Sequence, residues 1–250
     1  VYAYAAALYA STIRPLAFVN AIPTPIATDP VFVELARNNR LVFFGDDGAT
    51  GATPLTSDLL EHIAERRRLL KSIVQFNIGG NTDFLALTDE RRNKAKEHTK
   101  SRIVRDVMGY EVPHYIKPTG YIEPLGDKKF VAIHIEYVSF NGAVDEIIIN
   151  MRINDSPALA GMLVDLVRLG VMAVERREYG TVYPVNAFYM KNPGSGDGEA
   201  RAVSKILAYQ LLLKWIGPGL NPGKLPPSAA MILQQNRFGG EVKDSLKLLQ

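Results

Sequence analysis

Leu16-Ala17-Phe18-Val19-Asn20, then the helix-patterned run from Pro30 to Asn38, then Leu41-Val42-Phe43-Phe44-Gly45-Asp46-Asp47-Gly48, form the stretch whose reading decides the fold. Both short runs are apolar without alternation, which suits strands buried on both faces of a parallel sheet. The helical segment between them supplies the crossover. With a further apolar helix over Tyr2–Thr12 and a Pro/Thr turn from Pro23 to Asp29, residues 1 to about 50 read as a doubly wound α/β unit.

Working outward, helical periodicity runs from Pro54 to Leu70, a strand covers Ser72–Asn77, and a long Arg- and Lys-rich helix covers Asp89–Met108. The pattern then changes. Extended segments at Val112–Ile116, Lys129–Phe140 and Val144–Ile153 are joined by Gly/Asn and Gly/Asp turns, which predicts an antiparallel sheet. Asp155 or Ser156 is the expected cap of an apolar helix reaching about Glu175, with Pro157 in its first turn. Tyr183–Met190 reads as a returning strand, and a last helix ends near Trp215. Asn192–Gly198 and Gly217–Pro227 are the linker-like segments.

The chain has 250 residues, 47% hydrophobic and 22% charged, which is enough to bury one large core or two small ones. A net charge of +3 is spread without a basic run or basic/aromatic interleaving, which argues against nucleic acid and suits an anionic small molecule. The absence of cysteine removes disulfides, thiolate metal sites and a cysteine nucleophile, compatible with a reducing cytoplasm. The four histidines are scattered. Val1–Ala10 is too short to span a bilayer and lacks a basic start, so no membrane segment is expected. Because Val1 opens inside a helical pattern, a longer parent protein is expected.

Three motifs carry chemistry. Gly45-Asp46-Asp47-Gly48 follows a presumed parallel strand, at the edge where open α/β sheets bind ligands. Asn77-Ile78-Gly79-Gly80-Asn81-Thr82-Asp83 combines close backbone approach with polar side chains. Lys96 and Lys100 share one helix face, a like-charge spacing that an anion would stabilise. Taken singly, the first two also read as ordinary turns and the lysines as part of a solvated basic face with Arg91, Arg92, Lys94, Arg102 and Arg105.

Together with Phe18–Pro23, Phe84, Lys129, Asp155-Ser156-Pro157 and Ala187-Phe188-Tyr189-Met190-Lys191, these motifs make the chain resemble the myo-inositol-1-phosphate synthase family, in particular its actinobacterial and archaeal branch. The resemblance covers about Tyr2 to Lys191. It implies an α/β fold: a partial Rossmann-like NAD-binding domain with an inserted α+β catalytic and oligomerisation domain built on an antiparallel sheet. On that reading residues 1–52 are the C-terminal part of the Rossmann domain, 53–154 the inserted domain, 155–215 the return to the Rossmann domain, and 216–250 a linker and tail.

The resemblance further implies NAD-dependent conversion of D-glucose 6-phosphate to inositol 1-phosphate, by oxidation at C5, enolisation at C6, aldol closure onto C1 and return of the hydride. It places catalytic roles on Lys96, Lys100, Lys129, Asp155 and Lys191, and cofactor-side roles on Asn20, Asp46, Asn77, Gly79 and Asp83. A cytoplasmic homotetramer is implied, and a divalent or monovalent cation remains compatible. No G-x-G-x-x-G fingerprint occurs in the chain. Another NAD(P)-linked sugar-phosphate oxidoreductase and a non-catalytic homologue stay open as alternatives.

Overall fold

The structure, a computed structural model, describes residues 1–195 and 202–217, and of residue 92 and residues 94–101 the backbone only. The elements are α1 (Tyr2–Thr12), β1 (Leu16–Val19), α2 (Pro30–Asn38), β2 (Leu41–Phe44), α3 (Ala52–Glu65), β3 (Leu69–Gly79), α4 (Thr82–Ala86), α5 (Glu90–Met108), β4 (His114–Tyr121), β5 (Lys128–Val138), β6 (Val144–Asn154), α6 (Asp155–Glu175), β7 (Gly180–Thr181), α7 (Tyr183–Tyr189) and α8 (Lys205–Ile216).

The first sheet is three-stranded and parallel in the order β1-β2-β7, with Leu16 beside Leu41 and Phe43 beside Thr181. All four residues of β2 are buried, because α1 and α2 cover one face while α6, α7 and α8 cover the other. The α2 helix starts where Asp29 accepts from the Val31 and Phe32 N–H groups and Pro30 occupies the first turn. The helix α1 turns Ala3, Ala7 and Ala10 inward at a spacing of three to four residues.

The second sheet is four-stranded in the order β4-β3-β5-β6. One face packs against α3 and α5 through Leu60, Ile63, Ile103 and Val104 on the helices and Ile73, Ile116, Val131, Ile133 and Ile135 on the strands. This sheet is mixed, a correction to the antiparallel expectation: β3–β5 and β5–β6 are antiparallel, whereas β4 lies parallel to β3. Helix α5 makes the crossover that parallel pairing requires.

Three further expectations are corrected. The helix expected to reach Leu70 stops at Glu65, where Arg67 takes φ 53° and the Arg67 and Arg68 N–H groups donate to Ala64 and Ile63 carbonyls. This is a Schellman ending made by arginine instead of the usual glycine. The same pattern, centred on Arg177 at φ 58°, ends α6. Tyr183–Met190, expected as a strand, is helix α7: Pro184 fits its first turn, and partners elsewhere in the fold satisfy its end. Finally, the cap of α6 is Asn154 without a side-chain bond, and Asp127 takes over the capping work from outside the helix.

Among the described residues α6 is the one helix long and apolar enough to cross a membrane by length and composition. Here it lies against β1 and β2, burying Leu166, Leu169, Gly170 and Ala173 while Val164, Val167 and Val171 face outward. The linker beginning at Gly217 and the tail at Val242–Leu249 lie outside the described residues beyond Gly217.

Candidate active site

A cavity of about 240 Å³ opens at the carboxyl ends of β1 and β2, where they face the start of α6 and the turn after β3. Ala21, Ile22 and Pro23 wall one side, and Asp47, Asp83, Lys129, Asp155 and Lys191 supply its charges. Strand carboxyl ends converge there for the reason seen in open α/β sheets generally: the chain leaves the sheet in loops on that edge.

Four of the charged groups form two ion pairs. Lys191 Nζ donates to Asp47 Oδ1 at 2.8 Å, with the two side chains 11% and 6% exposed. Lys129 Nζ lies 3.4 Å from Asp155 Oδ2 and 5.5 Å from the centre of the Phe84 ring, a cation–π placement. Asp155 opens α6, where the positive end of the helix dipole favours a carboxylate. In each pair the second carboxylate oxygen, Asp47 Oδ2 and Asp155 Oδ1, is buried and has no hydrogen-bond partner among the described residues. Two orphaned acceptors on residues that line the cavity suit a ligand rich in hydroxyl donors.

Lys191 is held by its backbone as well. Its N–H donates to Asp47 O at 2.7 Å, and the Asp46 and Asn192 N–H groups each donate to the other residue's carbonyl, so residues 46–48 and 190–192 form a short antiparallel hook. Asn186 ties the hook down: its Oδ1 accepts from Gly45 N–H and its Nδ2 donates to Gly194 O and Thr181 Oγ1. Lys191 therefore follows a helix and not the strand expected for it.

Of the five cofactor-side positions, only Asp83 lines the cavity. The Asp46 carboxylate accepts five hydrogen bonds, from Asn20 Nδ2, the Ile26, Ala27 and Thr28 N–H groups and Thr28 Oγ1, so it braces the loop that forms the Ile22–Pro23 wall. Asn20 also donates to Thr24 O. Asn77 Nδ2 donates to Lys117 O and its Oδ1 accepts from Gln75, inside the second sheet. Gly79 ends β3 where any side chain would collide with the Phe84 ring. The backbones of Lys96 and Lys100 lie in α5, and their side chains lie outside the described residues.

The reading of the sequence missed three groups. Asp47 stood beside Asp46 in the same motif, but nothing local says which of two neighbouring aspartates turns into the cavity. Asp127 accepts from Ser156 Oγ at 2.6 Å, from Ser156 N–H and from Asn81 Nδ2, and the Ser156 hydroxyl bond leads in holding its carboxyl below the usual range, against the opposing effect of burial. It thereby joins the cavity wall residues Asn81 and Ser156. Lys205 is buried behind the cavity, donating from Nζ to Ala187 O and Met190 O. Its one visible signal was a lysine in the first turn of a helix, where the dipole disfavours a cation.

A family model described as myo-inositol-1-phosphate synthase matches residues 51–156. Inositol-3-phosphate synthase of Mycobacterium tuberculosis is 33% identical over 184 residues, covering 71% of this chain and 50% of the relative. That of Corynebacterium glutamicum is 30% identical, covering 71% and 52%. A crystal structure of a myo-inositol-1-phosphate synthase-related protein from Thermotoga maritima superposes with a TM-score of 0.81 at 68% identity, covering 86% of this chain and 56% of that one. The inositol-3-phosphate synthase of Caenorhabditis elegans, at 20% identity and TM-score 0.73, shares the fold. The chain thus spans about half the length of the curated bacterial relatives it matches.

Proposed function

Because the chain belongs to the myo-inositol-1-phosphate synthase family, we propose that it forms the substrate-facing part of an isomerase that converts D-glucose 6-phosphate to 1L-myo-inositol 1-phosphate with NAD, the first step of inositol biosynthesis. The observation that carries this reading is the meeting of two buried lysine–aspartate pairs in one cavity, each aspartate with an unpartnered oxygen. Ammonium groups suit a phosphate dianion and the enolate and alkoxide oxygens that develop during the reaction. Unpartnered carboxylate oxygens suit the hydroxyls of a sugar.

NAD supplies the hydride acceptor at C5. This cavity alone, at about 240 Å³ against the roughly 300–1,000 Å³ of pockets that enclose drug-sized ligands, is too small to enclose a dinucleotide. Asn20 and Asp46 act by bracing the loop that walls the cavity, Gly79 by letting the Phe84 ring pack against the end of β3, and Asn77 by tying β3 to β4.

Of Lys96 and Lys129, one takes the C6 proton as a neutral amine and the other, as an ammonium, stabilises the enolate oxygen; Lys129, paired with the Asp155 carboxylate, is the ammonium of the two. Lys191, fixed on Asp47, donates to the C1 carbonyl as the ring closes. Lys100 contacts the phosphate. The outer face of the β4-β3-β5-β6 sheet exposes Tyr115, Phe76 and Ile148 and is the surface for assembly into a cytoplasmic homotetramer.

The test is calorimetric binding of glucose 6-phosphate to the 250-residue chain, together with assay of inositol phosphate in the presence of NAD. Tight binding that Lys129→Ala and Lys191→Ala each weaken by more than about tenfold supports the reading. No binding overturns it, and net accumulation of NADH marks a simple oxidoreductase instead.

A further inference from the structure

Lys205 is a buried amine that lines no part of the cavity, and its contacts all lead to one place. Its Nζ donates to Ala187 O at 2.6 Å and to Met190 O at 2.9 Å, the carbonyls released at the end of α7, and Met190 is bonded to Lys191. The start of α8 is anchored in turn, because Asp58 on α3 accepts from the Lys205 and Ile206 N–H groups and Ser204 Oγ accepts from Leu207 N–H. The Lys191 segment is therefore gripped from two sides. Residues 46–49 hold it through backbone bonds, and Lys205 holds it from behind.

A helix end is ordinarily satisfied by water or by a glycine turn, so a lysine buried for that purpose alone is an expensive solution. Burial lowers the Lys205 amine to about 7, Asp58 opposes the shift, and the Lys191 ammonium adds to it, which places the two amines within electrostatic reach. We propose that Lys205 is a positioning residue: by pinning the carbonyls that precede Lys191 it keeps the Lys191 amine on Asp47 and turned into the cavity. Its functional consequence rests on the reading above, in which Lys191 binds an oxyanion of the phosphosugar.

Two measurements separate the parts of this inference. In the absence of ligand, folded Lys205→Met and wild-type chains are treated with limiting acetic anhydride, and the acylation rate of each lysine is followed by peptide mass spectrometry. Lys191 is expected to react at least about threefold faster in the variant, while Lys129 in the same cavity keeps its rate. Lys205→Gln, which keeps neutral N–H donors, is expected to fall between the two and provides the folded comparison if the methionine variant does not fold. An unchanged Lys191 rate in a folded variant overturns the proposal.

In the second measurement, glucose 6-phosphate binding is compared across Lys205→Met, Lys191→Ala and the double variant. Because Lys205 acts through Lys191, the double variant should bind no more weakly than Lys191→Ala alone, and additive losses overturn that link. A wild-type chain that binds no glucose 6-phosphate refutes the functional reading and leaves the acylation result to decide the positioning role.

Discussion

Replacing Lys205 by Met should change how stability depends on pH, and the size of the change follows from the structure. The amine lies at about 7 in the folded chain, lowered from 10.5 chiefly by burial. Between those values the folded chain carries a neutral amine and the unfolded chain a protonated one, so unfolding takes up one proton. Stability therefore rises with pH across that window, by about 1.36 kcal/mol per unit for a single group. The contribution is fully present above 10.5 and is lost as pH falls through about 7. Methionine has a similar length and no titration, so the difference between the two unfolding free energies isolates this group. From pH 8 to 9.5 wild type should gain about 2 kcal/mol on Lys205→Met. Urea unfolding at fixed ionic strength, followed by circular dichroism at three or four pH values, measures it. Parallel curves across that range would refute the reasoning, because they would mean that the amine is as freely protonated in the folded chain as in water.

Other substitutions test the remaining supports. Asp46→Asn replaces an acceptor of five donors with a group that presents an N–H to some of them, and should cost about 3 kcal/mol in urea unfolding; a loss under about 0.5 kcal/mol would contradict the bracing role. Lys191→Ala leaves Asp47 buried without its partner and should cost about 3–5 kcal/mol, whereas Lys191→Met combined with Asp47→Leu should recover most of that loss. Gly79→Ala drives a methyl group into the Phe84 ring and should cost about 1–3 kcal/mol, and Phe84→Leu in the same chain should relieve part of the strain; equal costs in both backgrounds would show that the ring is not the obstacle.

Much of the fold was legible because its causes are local. The β1-α2-β2 unit follows from two apolar runs without alternation, a capping aspartate before a proline, and enough length for a crossover. Helices α2 and α5 and strands β5 and β6 stand within one or two residues of where their periodicity places them. The end of α3 was lost because its stop signal was unconventional, at Arg67, which occupies the left-handed conformation that glycine usually announces, whereas α6 ends at Glu175 where it was expected to. The parallel placement of β4 was lost because strand periodicity reports which face is buried and says nothing of direction.

By itself, then, the sequence determined the α/β alternation of its first fifty residues, the presence of a second sheet, and a set of lysines and aspartates at the ends of elements. Only the tertiary structure decided that Asp47, and not Asp46, turns into the cavity, that 183–189 coil into a helix, and that Lys205 stands behind Lys191. Each of these outcomes depends on partners distant in the chain. Asp47 meets Lys191 across 144 positions and Asn186 meets Gly45 across 141, while α7 ends on the amine of a lysine in the next helix. Local propensities differ by only a few tenths of a kcal/mol per residue, and a buried charge or an unmet hydrogen bond is worth several times that, so the distant partner prevails.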